Sequence, residues 1–271
     1  MTVGSAAEVK DQAYKNALVE LLYQLADDDF ITAYRGSEWL GLAPHIEEDV
    51  AFSSINQDTM GHAAMFYRLL EDLGEGEMNS LAHARGSEER RNAIILEEVN
   101  GSGTYLVEPN YDWAFAVVRN YFYAQAKKVK IDSLKNSSYQ PLADAAVKVN
   151  MELYYHLLHW KTWFSQLMNA GGEARKRMMD AVDKTAADFA GVLSLGDKGE
   201  EIAKAGLIEG GDMLMVRWKN AVKPIFESCN LPVPELEMKR GNGRNKVHTP
   251  DLDQAIGTLS EVYNSDPAAA W

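Results

Sequence analysis

The sequence predicts an all-α protein, a four-helix bundle with additional C-terminal helices, and three observations carry that prediction. Four stretches repeat apolar residues at alternating spacings of three and four, the interval that stacks side chains on one face of a helix. A chain of 271 residues with 46% hydrophobic content can bury a sizeable core. Between the second and third stretches lies a long segment without a stripe, which suits a crossover joining two helical hairpins.

The first helix follows a polar leader ending near Val9 and is expected to reach about Tyr34. Its stripe is Leu18, Leu22, Leu25, Asp29 and Thr32. It gives way at Gly36, and Pro44 marks a boundary, because proline cannot continue a helix from the chain before it. The second helix is expected from about His45 to Gly74, with the stripe Phe52, Ile55, Thr59, His62, Phe66, Leu69 and Leu73. Glu47, Glu48 and Asp49 at its start suit the positive end of a helix dipole.

From Gly74 to Asp112, Gly74-Glu75-Gly76 and Gly101-Ser102-Gly103 punctuate the crossover, with one short helix expected around Asn92 to Val99. The third helix is expected from Trp113 to Leu134, with Val117, Tyr121, Ala124, Lys128 and Ile131 on its seam. Ser137, Ser138 and Tyr139 then turn the chain, and Pro141 belongs in the first turn of a fourth helix reaching about Met168. That helix carries Ala146, Val149, Leu153, His156, Trp160, Trp163 and Leu167.

Gly171-Gly172 closes the unit. The expected organisation is one domain over 1–271, a bundle core over about 9–169 and a helical extension over about 173–271. In the extension, helices are expected from Glu173 to Leu193, from Gly211 to Ser228 and from about Leu252 to Tyr263, with Pro232 and Pro234 breaking the pattern. Residues 239–246, with Lys239, Arg240, Arg244 and Lys246, form a basic loop in an otherwise acidic chain. It is read as solvated, or else as a contact for a partner's acidic surface or a ligand phosphate.

Lys and Arg number 27 against 40 Asp and Glu, a formal charge of -13. This argues against nucleic acid or an anionic membrane as partner, because phosphates are repelled. Cys229 stands alone, so no internal disulfide can form. With no signal peptide and no apolar run of about 18 residues, a cytoplasmic, soluble protein is expected. No G-x-S-x-G, Walker or dinucleotide-binding pattern is present.

The seams are interrupted by polar residues at the places where ferritin-like di-iron bundles keep their ligands. Those bundles use one Glu on each of two helices and Glu-x-x-His on each of the other two. Here the places hold Asp29, Thr59-x-x-His62, Ala124 and Leu153-x-x-His156. A pair of iron ions in a poorly solvated core needs anionic oxygen ligands. Ala124 and Leu153 offer no donor atom and Thr59 only a neutral hydroxyl, so no metal is expected at this degenerate site.

Three readings stand open for Asp29, His62 and His156. They hydrogen-bond to one another, to Thr59 or to water; or they form a residual mononuclear site, two histidines and a carboxylate being the facial set of non-haem iron oxygenases; or Asp58 and Glu152, each four residues before a histidine, complete a two-metal site from beside the seam. His159 lies off the stripe, and His45, His83 and His248 lie near helix ends or in loops, where surface roles are expected. Trp160, Trp163 and Tyr121 read as core packing.

These residues resemble the ferritin-like subunits of the bacterial phenylacetyl-CoA epoxidase. Its catalytic A-type chain carries a segment like Gln-Asp-Glu-Ala-Gly-His, against Gln57-Asp58-Thr59-Met60-Gly61-His62 here, and Glu-Glu-Ser-Phe-His, against Glu152-Leu153-Tyr154-Tyr155-His156. The structural C-type chain is matched more fully. Gly36-Ser37-Glu38-Trp39, Ala43-Pro44, the segment from Asp58 to His62, Glu152 with His156, and Val247-His248-Thr249 through Leu252, Leu259 and Glu261 to Trp271 carry that resemblance.

The resemblance implies a non-catalytic structural subunit with no cofactor of its own. Iron would belong to an A-type catalytic partner, and NADPH, flavin and an iron-sulfur centre to a reductase, the complex being completed by a small accessory subunit. The opposing expectation is an iron-dependent oxygenase or oxidase using Asp29, His62 and His156, and an unrelated helical scaffold stands as a third.

Overall fold

The first helix, α1 (Gln12–Ser37), starts where the Asp11 side chain accepts a hydrogen bond from the Tyr14 amide at 2.7 Å. The computed structural model describes residues 2–266 and Ala269; Trp271, the last residue of the expected resemblance, lies outside them. Ahead of α1 the leader is pinned, the Val3 amide donating to the Ser138 carbonyl at 2.7 Å. The second helix, α2 (Ile46–Asp72), is capped by His45, whose ring Nδ1 accepts from the Glu48 amide at 3.2 Å. α1 and α2 pack as a hairpin, and at Gly36 a Cβ would lie 2.0 Å from Asn56 Oδ1. Only glycine fits there unless Asn56 moves.

The crossover is more structured than its sequence suggests. It contains α3 (Met78–His83), α4 (Ile94–Glu97) and an antiparallel hairpin of β1 (Gly101–Thr104) and β2 (Val107–Tyr111). The stripe-free reading missed the hairpin and α3, and the helix expected over 92–99 is a single turn, because elements this brief carry no periodic signal.

The third bundle helix, α5 (Trp113–Leu134), begins as Asp112 accepts from the amides of Ala114 and Phe115, and its bounds are those expected. Almost every residue of α5 is buried, Arg119, Asn120, Gln125, Lys127 and Lys130 among them, so neighbouring elements must cover it on every side. The fourth, α6 (Gln140–Asn169), has Pro141 in its first turn. Gly171 and Gly172, at φ of 73° and 51°, then reverse the chain in a conformation that favours glycine.

The extension supplies the cover that α5 needs. α7 (Gly172–Leu193) and α9 (Gly211–Ser228) pack on the side of α5 turned away from the bundle, with α8 (Gly199–Lys204) between them in sequence and against α1. Trp218 of α9 is fully buried, its ring 5.0 Å from Phe122 and its Nε1 donating to the Phe122 carbonyl at 3.1 Å. An extended run after α9 returns along α7, the Glu237 amide donating to Ala186 and the Lys239 amide to Ala187. The last helix, α10 (Pro250–Ser265), lies against α1, α3 and α4.

The basic loop is solvated in part: Lys239, Arg240 and Lys246 are exposed, Arg240 being paired with Asp188 and Glu98, whereas Arg244 departs from that reading and is wholly buried against Asp28. Gly243 lies so close to Asn92 that a Cβ would stand 1.9 Å from its carbonyl oxygen. Residues 240–249 thus form a strap closed over α1 and α4.

Candidate functional site

All six positions singled out in the sequence turn into the bundle. Asp29 of α1, Thr59 and His62 of α2, Ala124 of α5 and Leu153 and His156 of α6 are all buried. The helical spacing of three and four brings them to one level. Lys128 is a correction: it lies at the rim, paired with Asp132, and its neighbour Lys127 is the lysine inside.

Lys127 stands one turn beyond Ala124, on the same face of α5. Its Nζ lies 2.8 Å from Asp29 Oδ1 and 2.7 Å from His62 Nδ1. Tyr123 donates its hydroxyl to the same Asp29 oxygen at 2.5 Å. An ammonium has three protons to give and no lone pair, so His62 Nδ1 accepts from it and the imidazole proton is assigned to Nε2. His62 Nε2 then donates to Glu152 Oε2 at 2.6 Å. The result is a continuous hydrogen-bonded chain, Tyr123, Asp29, Lys127, His62, Glu152, running from α5 through α1 and α2 to the half-exposed edge of α6.

His156 makes the mirror contact, its Nε2 2.9 Å from Asp58 Oδ2, and the two imidazole rings are 6.1 Å apart. Each histidine is thus held by the acid of the opposite helix. Thr59 takes no part, its hydroxyl donating to the Ile55 carbonyl one turn back at 2.7 Å. Of the partners expected for the three polar residues, neither Thr59 nor the other imidazole is the one used. Asp58 and Glu152 do lie beside the seam, but each reaches a ring.

Burial sets the protonation. It pushes His62 well below the ordinary imidazole range, with Lys127 and His156 adding their repulsion, and it lowers His156 as well. It raises Asp29 and lowers Lys127, each being drawn back by its attraction to the other. The Tyr123 phenol, pushed up by burial and then by Asp29, stays protonated as a donor. An ionised pair is the form that both Tyr123 and His62 complete.

Asp29 is the last of three consecutive buried aspartates, and a different segment answers each. Asp27 accepts from Arg85, Arg90 and the Tyr67 hydroxyl. Burial alone would raise its carboxyl, but Arg85 and Arg90 outweigh that and hold it at about 2. Asp28 is bound by Arg244, with Lys130 at 3.4 Å.

About three turns before Thr59, the sequence reading also missed the inward role of Glu48. It is buried rather than serving the helix dipole, accepting from Trp163 Nε1 at 2.6 Å and facing His159 Nε2 at 3.0 Å. Its place on the seam, four residues before Phe52, was the available signal. His248 is likewise inside rather than at the surface, 2.8 Å from Glu97. Among the described residues no group of three or more His, Cys, Asp or Glu is arranged to hold a metal ion, and no helix is long and apolar enough to cross a membrane.

Four long helices in two hairpins joined by a crossover, with a polar level at their centre, define a ferritin-like helical protein. The chain belongs to the family described as phenylacetic acid catabolic protein, whose family model matches residues 1–271. It is similar to the C-type subunit of the 1,2-phenylacetyl-CoA epoxidase of Escherichia coli (strain K12), with 24% identity over 257 residues, 94% of this chain and the whole of that protein. The resemblance expected from the sequence is the one found.

Proposed function

We propose that this chain is the non-catalytic structural subunit of a multicomponent phenylacetyl-CoA epoxidase, supporting a related A-type subunit that holds the di-iron centre. One observation carries the proposal. The Lys127 ammonium sits between Asp29 and His62, so the level that holds metal in di-iron bundles already contains a cation belonging to the chain.

The residues present do not fit a pair of iron ions. Ala124 and Leu153 have no donor atom, Thr59 offers only a neutral hydroxyl turned to its own helix, and the inward carboxylate at this level, Asp29, is neutralised by Lys127. Adding positive charge beside an ammonium in a dry core would be strongly unfavourable. The opposing reading, an iron oxygenase using Asp29, His62 and His156, has less support. Two of those three residues are engaged by Lys127, and both imidazole Nε2 atoms face acids at the edge.

In this reading iron belongs to the A-type partner, and NADPH, flavin and an iron-sulfur centre to a reductase in the same cytoplasmic complex, alongside a small accessory subunit. A bundle relieved of metal can be packed tightly and used as a support. Purification without chelators, alone and with the A-type subunit, tests the proposal. Near-zero iron and no turnover of phenylacetyl-CoA with the reductase are expected for the chain alone, and both iron and turnover for the pair. One or two equivalents of iron in the isolated chain, or turnover by it, would refute the proposal.

A further inference from the structure

One end of the molecule is apolar, and the segments that build it supply acidic side chains but no lysine or arginine of their own. The turn after α1 and the first turns of α2 expose Leu40, Ile46 and Val50, and the β1–β2 hairpin ends on Tyr105, Leu106 and Val107. Ile46 is 75% and Leu106 87% exposed, more than a scattered surface residue needs. The two groups belong together because the hairpin stands beside the turn. Trp39 packs its ring 5.6 Å from Tyr111 of β2 and 5.0 Å from Trp113 of α5, while the Gly41 amide donates to Asp49 Oδ1 at 2.6 Å.

Residues 36–51 and 98–113, which build this end, contain no lysine or arginine, but hold four acidic residues in the first segment and three in the second. Several of those acids are satisfied within the chain. Glu48 faces His159 and Trp163, Glu98 is held by Lys184 and Arg240, Glu38 by Arg35, and Arg177 of α7 reaches Asp112 at 3.6 Å. Glu47, beside His45, and Glu108 of β2 remain exposed at the rim of the apolar side chains. The other bare apolar run, Met151, Tyr154, Tyr155 and Leu158 on the outer side of α6, differs in having Lys148 and Lys161 on its own helix.

We propose that the hairpin and the α1–α2 turn form the docking surface for a different subunit, one presenting an apolar face rimmed by lysine and arginine. Charge selects that occupant. A second copy of this chain would set Glu47 and Glu108 against acids of the same kind, and like charges across an interface oppose binding. The inference rests on the reading of the chain as a subunit and adds where the partner sits.

Sedimentation velocity and titration calorimetry with the full-length chain and the recombinant A-type subunit of the same organism, at low and raised salt, test it. Leu106→Asp should weaken the complex by about tenfold or more, as loss of an apolar anchor does. Glu47→Lys with Glu108→Lys should also weaken it and flatten its salt dependence, since exposed charges are screened. Tyr155→Asp on α6 should bind as the parent does. All these positions are exposed, and unchanged thermal midpoints would confirm that the variants fold. Parent-like binding by the hairpin and rim variants, or loss of binding in Tyr155→Asp alone, would overturn the surface while leaving the subunit reading intact. Self-association of the chain abolished by Leu106→Asp would overturn the choice of a different subunit. No complex between the parent chain and the A-type subunit would overturn both readings.

Discussion

Arg244 and Asp28 stand 216 positions apart in sequence and meet inside the protein, each Nη lying 2.7 Å from one carboxylate oxygen. The remaining N–H groups of Arg244 go to the carbonyls of Arg91, Val192 and Ser194, so all five donors are satisfied away from water. Arg244→Met should therefore cost about 3–5 kcal/mol, the usual loss when one half of a buried pair is left alone. Urea unfolding measures it, and a variant as stable as the parent would show that the strap carries no stabilising charge.

Lys127→Met should destabilise by a similar amount, about 3–5 kcal/mol, because it leaves Asp29 buried without a counter-charge. Adding Asp29→Asn should restore much of the loss, since the two substitutions remove an interacting pair. Additive losses in the double-mutant cycle would mean that the ammonium and the carboxylate do not depend on each other.

Acid should weaken the protein in two stages. The first comes from His62 and His156. Burial lowers their folded-state pKa values below the unfolded 6.5, so the unfolded chain takes up protons first as the pH falls. The stability they contribute is complete above pH 6.5 and declines below it. In His62→Gln with His156→Gln, the slope of unfolding free energy between about pH 6.5 and 5 should flatten relative to the parent. An unchanged slope would assign that stage to other groups.

The second stage belongs to Asp27, whose carboxyl is held at about 2 against 3.8. Its contribution is present above the unfolded value and is lost as the pH falls through the folded one. It amounts to about 2 kcal/mol by the conversion of pKa shift to free energy. Asp27→Asn should lower stability at neutral pH and remove that part of the acid dependence between about pH 4 and 2, as followed by circular dichroism.

The bundle was legible because its helices are long. α5 runs over the expected residues and α9 does too, each marked by residues that begin and end helices. The hairpin, α3 and α8 escaped because a few residues cannot display a period. At the site, periodicity located the inward positions from Asp29 to His156, since it reports where a Cα–Cβ bond points. It does not report where a long side chain ends. Lys127 reaches the centre on a flexible stem, and Asp58 and Glu152 bend to the rings from beside the seam. Consecutive residues on a helix point about 100° apart, so only one of Asp27, Asp28 and Asp29 could lie on the stripe. Three acids in a row inside an apolar helix were nonetheless a visible sign that cations must arrive from elsewhere.

The strap also imposes an order on biosynthesis. Because ribosomes extend proteins from the N-terminus, Asp28 is made more than two hundred residues before its arginine exists. Every nascent intermediate shorter than that lacks the paired guanidinium for Asp28, leaving it only Lys130 and the Ala93 amide. The bundle can complete its interior only after Arg244 has been made, so the strap acts as a latch on everything synthesised earlier.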